Sequence, residues 1–122
     1  MRPMALTVTL RDSEKTVIVD LVGRLWVLEL PLRQTIAELL EQGRRYFVLN
    51  LAGVNYMDSS GLGQMVSIWS STRNRGGHVV LLRPNERILH LLDITKLNTV
   101  FEIFHDERQA VQAAQKNWQV SA

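Results

Sequence analysis

A chain of 122 residues with 46% apolar side chains is long enough for one ordinary domain with its own core, and nothing in its composition argues for disorder. It has no cysteine, which excludes disulfides and thiolate metal sites. The net charge is only +2 and the arginines are scattered, so composition predicts no direct nucleic-acid binding, although Arg73, Arg75, Arg83 and Arg87 can still cluster on folding. No run is long enough to cross a bilayer, and the N-terminal stretch MRPMALTVTLRDSEK lacks the apolar core of a signal peptide. The expectation is a cytoplasmic protein without a membrane partner.

In chain order, ALTVTL (residues 5–10) alternates apolar residues with threonine, the period of a half-buried strand. RDSE is a polar turn, and TVIVDLVG (16–23) a second strand, so the first two elements predict an antiparallel hairpin. Pro31 suits a first helical turn; Leu32, Ile36, Leu39 and Leu40 then share one face, and Gly43 stops the helix. RRYFVLNLAG (44–53) reads as a strand buried on both faces.

After NYMDSSG the spacing becomes helical, with Leu62, Met65, Val66 and Trp69 expected inward and Gln64, Ser67 and Ser71 outward. RNRGG ends that helix, and HVVLL is another buried strand. Asn85 is expected to cap a short helix with Ile88, Leu91 and Leu92 inward. Residues 100–104 predict a last strand. Asp106 is expected to cap a final helix with Ala110, Val111, Ala114 and Trp118 inward. The order β-β-α-β-α-β-α-β-α implies a mixed, mostly parallel sheet in one α/β domain spanning 1–122, with its core over about 5–118.

The stretch NYMDSSGLG (55–63) carries the chemistry. It joins a buried strand to a helix, where function concentrates in open α/β sheets. Three readings compete. Asp58 or Ser59 can simply cap the helix. A catalytic serine would need Gly-x-Ser-x-Gly, but Met57 and Asp58 stand two residues before the two serines. No partner pattern makes His78, His90 or His105 a base or a metal ligand, and Gly61-x-Gly63 lacks the third glycine of a nucleotide loop. Alternatively, a serine at a helix N-terminus is a good acceptor for a phosphoryl group supplied by another enzyme, since the phosphate faces the helix's positive end.

The segment YFVLNLAGVNYMDSSGLGQMVSIW resembles the centre of STAS domains, in particular those of bacterial anti-sigma factor antagonists. VGRLWV resembles the family's Gly-x-Leu segment, and the C-terminal half from GGHVVLL to DERQAV is similar as well. The resemblance implies a non-enzymatic, cofactor-free and metal-free binding module in a partner-switching pathway that regulates transcription indirectly. An anti-sigma factor that is also a serine kinase would phosphorylate Ser59, and a PP2C-type phosphatase would reverse this. Asp58 would position Ser59; Ser60, Gly61, Leu62 and Gly63 would complete the partner-binding motif. The alternative within the family is a scaffold or an accessory subunit of a transporter or stress complex.

Two positions depart from the family pattern, which usually has aspartate where this chain has Asn50 and Trp26. Both changes are expected to remove a carboxylate near the kinase-binding edge. Trp26 either anchors a partner, as tryptophan does at binding hot spots, or packs over the first helix.

Overall fold

Strand and helix periods alternate along the chain, and each finds its partner in a five-stranded sheet. The computed structural model describes residues 6–26 and 31–120, with side-chain surroundings for 6–26 and 32–116. The elements are β1 (Thr7–Ser13), β2 (Thr16–Leu25), α1 (Pro31–Glu41), β3 (Tyr46–Met57), α2 (Ser59–Asn74), β4 (His78–Leu82), α3 (Glu86–Ile94), β5 (Ile103–Phe104) and α4 (Glu107–Val120), in the expected order. The strands lie side by side in chain order. β1 and β2 form the antiparallel hairpin, and every later pairing is parallel.

The period of two in the strands divides the core into two layers. On one face Val17, Val19 and Leu21 of β2 and Phe47, Leu49 and Leu51 of β3 meet Leu32 and Ile36 of α1, Met65 and Ile68 of α2, and Ile88 and Leu92 of α3. On the other, Ile18, Val48, Val80 and Leu82 meet Ala110, Val111 and Ala114 of α4. Small alanines let α4 approach the sheet closely. Trp118, expected on this face, lies outside the described side chains. β4 is buried along its whole length, which is why its sequence carries no alternation.

The helix ends follow local chemistry. Gly43 takes φ +92° after α1, and the amides of Gly43 and Arg44 bond to the carbonyls of Leu40 and Leu39. Gly76 takes φ +80° after α2 and repeats the arrangement, with Gly76 and Gly77 bonding to Arg73 and Thr72. Both are Schellman stops, in which glycine enters the left-handed region without steric cost. Asn85 caps α3 by accepting from the Ile88 amide at 2.9 Å, and Asp106 caps α4 by accepting from Gln109 at 3.0 Å.

Four expectations are corrected. Arg11, Asp12 and Ser13 of the expected RDSE turn belong to β1 and pair with Ile18, Val17 and Thr16 of β2. The last strand is only Ile103–Phe104, because Leu97–Thr99 form a 3-10 turn and Phe101 turns into the core. β3 runs past Gly53 to Met57, so Asn55 and Tyr56 lie in a strand and not in a turn. Finally, α2 is rotated relative to the expected face. Its buried residues are Gly61, Leu62, Gln64, Met65, Ile68 and Thr72, whereas Val66 and Trp69 are half-buried at the margin. Two polar residues can occupy the buried seam because their donors are satisfied. The Thr72 hydroxyl donates to the Ile68 carbonyl at 2.8 Å, and the Gln64 amide nitrogen donates to the Trp26 carbonyl at 2.8 Å.

Candidate functional site

The extension of β3 sets the site. It delivers Met57 beside Leu25, the last pair of the β2–β3 ladder, so that both strands end where α2 begins. Asp58 is the N-cap, with extended backbone, and its Oδ1 accepts from the Gly61 amide at 3.0 Å. Its carbonyl accepts from Leu62 at 3.0 Å. The capping reading is therefore correct for Asp58, and it leaves both serines outside the cap. Ser59 is the first helical residue and is exposed; Ser60 is half-buried. At this position a group on Ser59 faces helix amides that have no partner within the helix, and the positive end of the helix dipole.

Gly61 fits because the end of β2 presses against it. A Cβ there would stand 2.3 Å from the Leu25 carbonyl oxygen. Gly63 is different: it is exposed, and a Cβ there would meet nothing within 4 Å. The fold requires the first glycine and leaves the second unexplained by internal packing. Leu62 is buried and belongs to the core.

The Gly-x-Leu segment forms the flank of the site. Gly23 is buried with φ +121°, and the β2–β3 register shifts between Gly23 and Arg24. This irregularity re-aims the end of β2, as bulges do. Arg24 then pairs with Tyr56 across the ladder. Its guanidinium carbon lies 4.6 Å from the Tyr56 ring centroid and 4.8 Å from that of Trp26. Each such contact is worth about 0.5–1 kcal/mol at a partly exposed site. Trp26 is half-buried, and through its carbonyl it is tied to Gln64 of α2. The structure thus brings Trp26, Asp58, Ser59, Ser60 and Gly61 to one end of the sheet. Arg24 and Tyr56 are neighbours that sequence reasoning missed, since the contact joins two strands and neither residue belongs to a recognisable motif.

Asn50 does not belong to this edge. It precedes Met57 by seven residues on β3, about 23 Å along a strand. It instead donates to Asp20 at 2.7 Å. Asp20 in turn accepts from Arg11, which also donates to Glu107 at 2.7 Å. An aspartate at position 50 would set two carboxylates against each other. Hydrogen bonds from Arg11, and for Asp20 also from Asn50, hold the Asp20 and Glu107 carboxyls below their usual range, although partial burial opposes the shift.

The four arginines that sequence left open are dispersed in their contacts. Arg73 lies over the Trp69 ring, Arg75 pairs with Glu41, and Arg83 donates to the His105 carbonyl. Arg87 lines a groove of about 450 Å³ between β3 and α3.

A profile of the STAS domain family matches residues 7–110. The anti-sigma-B factor antagonist of Bacillus subtilis (strain 168) is 33% identical over 110 residues, covering 89% of this chain and 100% of that protein. The crystal structure of TM1081 from Thermotoga maritima is similar with a TM-score of 0.82 at 25% identity, over 89% of this chain and 95% of that one. The Bacillus cell fate determinant SpoIIAA, solved in its phosphorylated form, shares the fold with a TM-score of 0.70 at 22% identity, over 88% of this chain and 98% of that one.

Proposed function

This chain belongs to the STAS domain family, and from that premise we propose that it is an anti-sigma factor antagonist whose partner is released by phosphorylation of Ser59. The carrying observation is the place of Ser59: exposed, first in α2, and beside an aspartate already committed to the cap. A phosphate there adds about −1.5 to −2 charges. It meets roughly +0.5 of a charge at the helix end, so the fold accommodates it. The effect is felt by a partner that covers the site. Asp58, Ser59, Ser60, Gly61, Leu62, Gly63 and Trp26 form the proposed partner-binding region, with Leu62 acting from within as the anchor of the helix start.

The proposed partners are a serine kinase that doubles as the anti-sigma factor and a PP2C-type phosphatase that restores the binding form, in the cytoplasm. The chain itself acts as a binding module without catalysis. The same relatives support the general role, while the kinase and phosphatase are part of the proposal. Affinity capture with Ser59→Ala and Ser59→Glu proteins tests it. A kinase retained by the alanine form, released by the glutamate form and able to phosphorylate Ser59 is the expected result. Identical captures by both forms would contradict it and favour a scaffold or accessory-subunit role, in which Ser59 has no switching function.

A further inference from the structure

We propose that Arg24, held over the rings of Trp26 and Tyr56, is the contact that selects the kinase, by pairing with a carboxylate on its docking surface. The inference rests on the function proposed above and names the chemistry of the same partner. Its ground is a cation placed on two aromatic rings, 4.8 and 4.6 Å from their centroids, beside the phosphoacceptor. A cation–ring contact uses none of the guanidinium's five N–H donors as a hydrogen bond to an acid, and the planar fork they form matches a planar acceptor. Three described arginines have acidic partners, Arg11 with Asp20 and Glu107, Arg44 with Asp12 and Arg75 with Glu41, while Arg73 rests over the single ring of Trp69; Arg24 is the one held over two rings among the described residues. Among the described residues no carboxylate pairs with Arg24. The two rings hold this half-buried cation in place.

The position fits the switch. The Leu25 carbonyl packs against Gly61, and the Trp26 carbonyl is held by Gln64, so the segment carrying Arg24 and the start of α2 form one surface. Tyr56 is 39% exposed and continues that surface into the groove between β3 and α3, where Met57, Ile88 and Leu91 supply an apolar bed and Glu86, Arg87 and His90 line the wall. Arg24 beside an apolar bed complements a partner segment that presents an aspartate or glutamate next to an apolar side chain. Carboxylate pairs with arginine bidentately, which fixes orientation as well as affinity. Charge complementarity at an interface serves partner choice above all.

The test is titration of the Ser59-phosphorylating kinase with wild-type, Arg24→Glu and Arg24→Lys proteins, each with a thermal melt. Arg24→Glu is expected to weaken binding by at least about tenfold, with a melting temperature lowered by no more than the loss of the two ring contacts accounts for. Arg24→Lys keeps the charge but loses the planar fork, and should fall between. Changing kinase acids to arginine one at a time should reveal one that restores binding to Arg24→Glu. Wild-type affinity in Arg24→Glu overturns the proposal. Should that variant fail to fold, Arg24→Lys and Tyr56→Leu decide, and wild-type affinity in both overturns it equally. Phosphorylated wild-type protein is titrated alongside. If phosphate at Ser59 leaves the kinase bound, the switch fails, while the Arg24 comparison still stands or falls on its own numbers.

Discussion

At Gly61 a single hydrogen atom lets α2 begin against the end of β2. A methyl group there would sit 2.3 Å from the Leu25 carbonyl, and backbone cannot rotate away as a side chain can. Gly61→Ala should therefore destabilise the protein by about 1–3 kcal/mol, despite alanine's better helix propensity. Gly63→Ala meets open space within a helix and should stabilise by about 0.5–1 kcal/mol. If Gly63 serves close approach of the kinase, that more stable variant binds it less well. Urea denaturation of both variants and one titration separate the two roles. Asp58→Ala removes one capping bond at 3.0 Å and should cost about 1 kcal/mol while leaving the protein folded. It should also be a poorer phosphoacceptor, since the kinase loses the carboxylate proposed to position Ser59. Wild-type phosphorylation rates in Asp58→Ala would leave Asp58 as a cap and nothing more.

At the scale of elements, α2 is held through Met65 and Ile68, which are 0% and 2% exposed. Trp69 lies at the margin, edge-on to Phe101 with ring centroids 6.5 Å apart. Met65→Ala should cost about 2–5 kcal/mol. Trp69→Ala should cost less, because part of its ring already meets water; denaturation of the pair checks the order. Reading the sequence placed this helix well but turned its face toward Trp69. The apolar period favoured the bulky ring, and nothing local revealed that Gln64 and Thr72 would find acceptors at Trp26 and Ile68. Where the determinant is local, the sequence was legible: Asn85, Asp106 and Gly43 do what their residue types require. The extension of β3 through Asn55 and Tyr56 was not legible, because pairing with the bulged end of β2 holds it. The motif DSSGLG located the site, whereas the Arg24 stack beside it arises only when two strands meet.

Across the whole molecule, Arg11 ties β1 to Asp20 of β2 and to Glu107 of α4, and Asn50 of β3 completes the network. It joins the hairpin to the helix layer on the face opposite α2. Both carboxyls titrate below their unfolded values of about 3.9 and 4.3. Their stabilisation is thus fully present above those values and is lost as pH falls through the lower, folded ones. Arg11→Met should flatten the acid limb of the stability curve below about pH 4 and leave the alkaline limb unchanged. At neutral pH its cost should be within about 1 kcal/mol, because the pairs are solvent-accessible and screened. Thermal melts across an acid pH series measure this; an undiminished acid limb in Arg11→Met would remove the network as its cause.

The same scale carries the switch, because phosphate at Ser59 must alter a surface without altering the fold. The most direct test is calorimetric binding of phosphorylated and unphosphorylated protein to the kinase that modifies Ser59, beside a thermal melt of each form. Charge brought against a kinase site can cost several kcal/mol, and each 1.4 kcal/mol is about tenfold in affinity. The account predicts a loss of affinity of about a hundredfold or more, with melting temperatures agreeing within about a few degrees. Equal affinities of the two forms would contradict it, and a large fall in melting temperature would show that phosphate acts by breaking the fold.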